Sequence, residues 1–239
     1  MAGKPSVLEV TEVVKDYRGL RPLRIHDLTI ASGDQVALLG FDQPSAEVFV
    51  NLITGATLPD AGRVVVFGRS TESIADGAAW LAVVDRFGIV SERAVLLDHL
   101  TVIQNLCMPF TLDVEPPHDE VRTRAERLAA EVGLDELLWT KAAGAIDGTS
   151  RLRVRLGRAL ALDPQLLLLE HASAALDTAA VPGAGVGIRA VAAQRGVALV
   201  ALTADDAFAR AVAARVLTLN PANGRFTDAG RRGWFRRLG

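Results

Sequence analysis

Apolar and polar residues alternate over 6–14 (SVLEVTEVV) and 24–30 (RIHDLTI). A period of two is what a strand with one covered and one wet face requires, so both segments are predicted strands. "SGD" at 32–34 is a predicted turn, and "QVALLG" at 35–40 reads as a buried strand running into a glycine. Residues 46–54 switch to helical apolar spacing. "PDAGRVVVFG" at 59–68 predicts a turn and then a strand, and "FGIV" at 87–90 a further short strand. The texture changes between about 99 and 142: "EPP" at 115–117 breaks the chain, and 120–134 (EVRTRAERLAAEVGL) is an amphipathic helix with its charges on one face. An arginine-bearing helix follows at 151–162 (RLRVRLGRALAL). "QLLLLE" at 165–170 and "VALVALT" at 197–203 are unbroken apolar runs, the texture of central strands. "RVLTLN" and "GRFTD" close the chain as a strand pair. Strands alternating with helices give an α/β fold with a mostly parallel sheet. "GAGVG" at 183–187 lacks the G-x-G-x-x-G spacing and a preceding strand, so it reads as a flexible connection.

Composition narrows the class. A chain of 239 residues, half of them hydrophobic, is long enough for a real core and is not disordered. The formal net charge of −2 supplies no field for nucleic acid. One cysteine, Cys107, excludes an internal disulfide framework and fits a reducing compartment. No apolar run is long enough to span a bilayer, and the start has no basic-then-apolar leader, so a cytosolic location is expected. His26, His99 and His118 have no metal-ligand spacing. The tail "RRGWFRRLG" (231–239) reads as a solvated or partner-bound end, or as a contact for an anionic membrane surface.

The candidate chemistry lies in "LLGFDQPSAEVFVNLITG", residues 38–55. A buried strand, a glycine, a turn and an apolar helix are the outline of a loop that cradles phosphates, which reads G-x-x-x-x-G-K-[ST]. Gly40 is the first glycine, Ser45 stands at the second, Ala46 replaces the lysine and Glu47 the serine or threonine. Asp42 and Val48 complete the loop. Ala46 brings no charge to a phosphate, and Glu47 puts a carboxylate where a hydroxyl binds magnesium. Two unit charges about 4 Å apart interact by roughly 4 kcal/mol at an effective dielectric near 20. Micromolar to millimolar binding totals only about 4–8 kcal/mol. Losing one attraction and gaining one repulsion therefore removes ordinary ATP affinity. Glu47 is also expected to satisfy the helix dipole from within, while Ser45 strains at glycine-only angles and Pro44 stiffens the turn.

The order of these pieces resembles the nucleotide-binding subunits of ATP-binding-cassette (ABC) transporters over nearly the whole chain. "LLG" and "NLITG" flank the phosphate loop, "LDHLTVIQNLCMPF" (97–110) looks like the segment that faces the permease, and "RLRVRLGRALALDPQLLLLE" with "ALD" (175–177) matches the post-signature helix, its strand and the dimer-contact loop. The resemblance implies the ABC ATPase (P-loop NTPase-like) fold: a core with an antiparallel β subdomain over 1–91 and 149–228, an inserted helical subdomain over 92–148, and a basic tail at 229–239. It places Tyr17 at the adenine-stacking position and Glu92 where a metal-sensing glutamine belongs. Ile146, Asp147, Gly148, Thr149 and Ser150 stand at the signature, Glu170 at the magnesium-associated aspartate, His171 at the catalytic glutamate and Ala204 at the switch histidine.

Only Gly40, Gly148 and the aromatic Tyr17 remain from that working set, so no catalytic residue is assigned, and neither ATP nor magnesium is expected as a resident cofactor. A homodimer would have no intact site, and Asp147 would repel the γ-phosphate of a partner subunit's site. The implied function is a pseudo-ATPase, structural or regulatory, peripheral on the inner membrane face. It would dock on permease subunits through about 93–110 and pair with another ABC ATPase subunit or itself. The text near 97–110 looks closest to subunits of lipid or lipoprotein extraction systems. Two alternatives stay open: a working ATPase that binds ATP and magnesium with Arg151 or Arg153 in place of the lysine, or a free-standing interaction module.

Overall fold

The computed structural model describes residues 4–74 and 76–228. The expected tail at 229–239, with Trp234 and Phe235, lies outside the described residues. The described residues hold ten strands: β1 (Ser6–Lys15), β2 (Leu23–Ala31), β3 (Gln35–Leu39), β4 (Ala61–Val66), β5 (Arg69–Ser70), β6 (Phe87–Ser91), β7 (Leu166–Glu170), β8 (Ala198–Thr203), β9 (Arg215–Asn220) and β10 (Arg225–Asp228). The helices are α1 (Gln43–Ile53), α2 (Gly77–Val84), α3 (Val102–Cys107), α4 (Asp119–Glu131), α5 (Gly148–Leu160), α6 (Val181–Arg195) and α7 (Asp206–Val212).

The strands form two sheets. One is antiparallel, in the order β2-β1-β4-β5. The other has the order β10-β9-β3-β8-β7-β6 and is parallel except for the terminal β9–β10 pair. Its central strands are covered on both sides, which is why they read as continuous apolar runs instead of alternating ones. Leu167, Leu169, Leu199 and Ala201 point into one core cluster, and Leu166, Leu168, Val200 and Leu202 into the other.

Between β6 and α5 the described residues hold α3, α4, two short 3₁₀ turns and a single isolated bridge, Thr101 to Ala142. α3 opens with a reciprocal capping box between Thr101 and Gln104. Asn105, fully buried, donates to the carbonyls of Leu97, Leu100 and Thr101 and accepts from Leu97 N–H, which fixes the 97–105 loop onto the helix. No helix is long and apolar enough to cross a membrane among the described residues.

The pattern reading missed α2 and α7. α2 (GAAWLAVV) is apolar without a polar face, so it carries no helical period, and only Val83 is buried. α7 has two turns. The reading of 183–187 as a flexible connection is corrected: these residues lie inside α6. A Cβ on Gly185 would stand 2.6 Å from the Ala211 Cβ, so this glycine lets α6 sit tightly on α7.

Candidate functional site

Parallel strands deliver their carboxyl ends to one edge of the sheet, and ligand crevices form there. Gly40 follows β3, Glu92 follows β6, Glu170 ends β7, and Ala204 follows β8. The fold therefore collects the positions that the sequence singled out.

The first helical turn of α1 is closed by its own side chains. Asp42 is the N-cap: its carboxylate accepts the Ser45 N–H at 2.9 Å and the Ser45 hydroxyl at 2.5 Å. Those two donors hold the Asp42 carboxyl below the usual carboxylate range. The negative charge sits where a helix start would receive an external anion. Ser45 lies inside the helix and takes no glycine-only angle, so the expected strain is absent; Pro44, in the first turn, suits the helix start. Gly40 alone in this loop is left-handed, at φ +95°, and a Cβ there would stand 3.0 Å from the Leu219 carbonyl. Ala46 is fully buried in the core, and Val48 packs partly buried against the same cluster.

Glu47 does not serve the helix dipole. It reaches Arg93, whose Nη1 lies 3.0 Å from its carboxylate, while Arg93 Nη2 lies 2.5 Å from Glu170. Gln43 Nε2 donates to the other Glu170 oxygen at 2.8 Å. The Glu170 side chain is 0% exposed; those of Arg93 and Glu47 are 42% and 44% exposed. The expected unpaired repulsion at Glu47 is thus corrected, because a guanidinium sits between the two acids. Magnesium does not fit this arrangement: the carboxylates that would face it already share a cation. Among the described residues no three His, Cys, Asp or Glu side chains gather as metal ligands.

The family model for ABC transporters matches residues 23–174. This chain belongs to the ABC transporter family. Relatives include an Fe(3+) ions import ATP-binding protein, FbpC, from Mesorhizobium japonicum, 30% identical over 94% of this chain and 60% of its own length. A sulfate/thiosulfate import protein, CysA, from Caulobacter vibrioides is 33% identical over 93% of this chain and 64% of its own. HisP of Salmonella typhimurium, a histidine/lysine/arginine/ornithine transport ATP-binding protein, is 29% identical over 89% of this chain and 86% of its own. The chain thus spans about 60% of the length of FbpC and CysA. A dimeric bacterial ABC transporter cassette superposes with a TM-score of 0.74 at 23% identity, covering 92% of this chain and 98% of that one. A Clostridium perfringens cassette from the CbiONQ complex gives a TM-score of 0.78 at 21% identity, covering 94% and 88%. The fold is that of an ABC ATPase cassette.

Within the cassette, the turn before α5 repeats the design of the turn before α1. Asp147 caps α5, accepting the Ser150 N–H and the Ser150 hydroxyl, both at 2.9 Å. The Ser150 N–H leads in holding the Asp147 carboxyl below the usual range; the Ser150 hydroxyl and the Thr149 N–H add to it. A Cβ on Gly148 would stand 2.9 Å from the Ala175 carbonyl, so close backbone packing explains this glycine without any nucleotide. Ile146 is buried beneath the turn.

Glu92 is paired, its carboxylate 2.7 Å from Arg155 Nη1 on α5. His171 adopts a left-handed backbone, at φ +45°, and its Nε2 is buried without a partner. It shares a cleft of about 430 Å³ with Ala204 and Asp205. Asp205 caps α7 through the Phe208 N–H and accepts the Ser173 hydroxyl at 3.1 Å, which ties the turn after β7 to the segment after β8. The substitute cations expected at Arg151 and Arg153 are engaged elsewhere: Arg151 with Asp98 and the Ala143 carbonyl, Arg153 with the Gly133 carbonyl.

Tyr17 faces an open cleft of about 620 Å³ with Gly40, Asp42, Ser45 and Pro221. Burial raises the Tyr17 phenol above its ordinary pKa, and the Asp42 charge raises it further. Sequence reasoning missed Arg93, Gln43 and Asp205. The available signal was the excess of acids: a site holding both Glu47 and Glu170 needs a cation, and Arg93 stands one residue past Glu92.

Proposed function

We propose that this chain is a cassette subunit of an ABC transport system that works without hydrolysing ATP, as a structural or regulatory partner of membrane permease subunits. The observation that carries the reading is the Arg93 guanidinium lodged between Glu47 and Glu170. The Asp42 cap supports it, since a fixed carboxylate holds the α1 start against an incoming phosphate. Neither ATP nor magnesium is a resident cofactor in this reading. The 93–110 segment is the proposed permease surface, and another cassette or a second copy the dimer partner. The subunit sits peripherally on the inner membrane face. The import proteins among its relatives favour an importer and lend nothing to the likeness of 97–110 to extraction subunits.

The deciding experiment is equilibrium binding of ATP, with and without magnesium, to the purified subunit. No binding at millimolar ATP is the expected result. Magnesium-dependent binding, with hydrolysis lost on Glu170→Gln, would establish the second reading, an ATPase with unorthodox residues. One observation favours that second reading: the Tyr17 cleft stays open for a nucleoside.

A further inference from the structure

The four residues after β6 are held from two sides. On one side, Arg155 of α5, its side chain 8% exposed, pairs with Glu92 and donates through Nε to the Ala94 carbonyl at 3.4 Å. Arg158 Nη1 adds a 2.8 Å bond to the Val95 carbonyl. On the other side, Arg93 reaches Glu47 on α1 and Glu170 at the end of β7. Its own N–H donates to the Ser91 hydroxyl at 3.1 Å, which braces the turn.

We propose that residues 92–95 form a strap in which the Arg93 guanidinium is a tethered cation, locking α1, β7 and α5 into one arrangement with no ligand present. The proposal deepens the pseudo-ATPase reading by naming what takes the ligand's mechanical place.

The physics favours a guanidinium. A fully buried carboxylate needs a charged or hydrogen-bonding partner. The Gln43 amide gives Glu170 one hydrogen bond, and Arg93 supplies the charge. Because the cation is part of the chain, its local concentration is set by a short loop and not by the solution. The planar fork reaches two carboxylates at once, which the point charge of a lysine does not. The two ends are unequal: Glu47 is half in water, whereas Glu170 is sealed. Opening the strap therefore releases α1 first.

Hydrogen exchange on the full chain, without nucleotide, tests the strap. The double variant Arg93→Met with Glu170→Leu removes the cation and the sealed carboxylate together; Glu47 and Gln43 lose a partner, but Glu47 is half in water and needs no buried one, so the fold is kept. Its amides over 91–96 are expected to exchange about tenfold faster or more, while those of β3 and β8 stay as in the wild type. Exchange over 91–96 within about twofold of wild type in this folded variant would overturn the proposal. A second arm uses Arg93→Ala with methylguanidinium as the probe. The free cation is expected to restore protection over 91–96, and no restoration in a folded Arg93→Ala chain would count against the tethered-cation role. Binding of Mg-ATP to the wild type is read separately: it would overturn the pseudo-ATPase reading and leave the exchange result on the strap standing.

Discussion

Helices α1 and α5 begin alike and are anchored differently. Each is capped by an aspartate three residues before a serine, Asp42 with Ser45 and Asp147 with Ser150, and each carboxylate takes both the backbone and hydroxyl donors of its serine. Behind the α1 cap lies a network around one buried charge: Glu170 is sealed, Arg93 and Glu47 are half-exposed, and Gln43 adds a hydrogen bond. Near the α5 cap the corresponding arginine, Arg151, pairs with Asp98, whose side chain is 66% exposed. The cap is a local solution that any helix start can use. The network joins α1 to the sealed end of β7, whereas the arginine pair beside the α5 cap lies at the surface.

The largest effect should separate the two arginines. Arg93→Ala leaves the sealed Glu170 with Gln43 alone. Breaking a buried pair costs about 3–5 kcal/mol, and the half-exposed arginine lowers this to roughly 2–3 kcal/mol. Arg151→Ala loses an exposed pair and one bond to a carbonyl, about 0.5–1 kcal/mol. Chemical denaturation of both variants measures the gap. Equal losses would mean that the Arg93 network is no more than a surface pair.

The caps should come next and should match each other. Asp42→Ala and Asp147→Ala are each expected to cost about 1 kcal/mol, and the asparagine variants only a few tenths. Both carboxyls have folded pKa values below their unfolded ones. Their contribution is therefore complete above the unfolded carboxylate pKa, about 3.9, and is lost as pH falls through the lower folded values. Between about pH 4 and pH 2 the double alanine variant should lose less stability than the wild type. Asp60, also held low through Lys15, contributes in both chains and cancels in the difference. A steeper acid loss in the variant would reverse the assignment.

These two layers were not equally legible in the sequence. The α/β order, the strand–glycine–helix outline at Gly40 and the α5 helix follow from apolar period, because burial dictates side-chain type one position at a time. The altered loop residues were readable as letters. Their consequence was not, since Glu47 meets its cation 46 positions away at Arg93 and a one-dimensional reading has no distance between them. The retained glycines misled in the other direction. Gly40 and Gly148 match nucleotide-site positions, yet the carbonyls of Leu219 and Ala175 crowd them without any ligand. GAGVG failed for the same reason: three glycines on a helix look like a loop until α7 is packed against Gly185.

The smallest expected effect is the one that tests the comparison most directly. If α1 differs from a working phosphate loop only by its missing lysine, Ala46→Lys should restore ATP binding. It is expected to restore none at millimolar ATP, for three reasons. Ala46 is sealed in the core, so a longer side chain must first find a way out. The Asp42 carboxylate still holds the helix start. Arg93 still occupies the space between Glu47 and Glu170. Ala46→Lys with Asp42→Asn, Glu47→Ser and Arg93→Gln clears the last two obstacles and leaves only the sealed position 46, so ATP binding by this combination, and not by Ala46→Lys alone, would place the block at the cap and the Arg93 pair. Binding by Ala46→Lys alone, measured by equilibrium titration, would show that α1 is an open loop short of one charge, no more remodelled than α5.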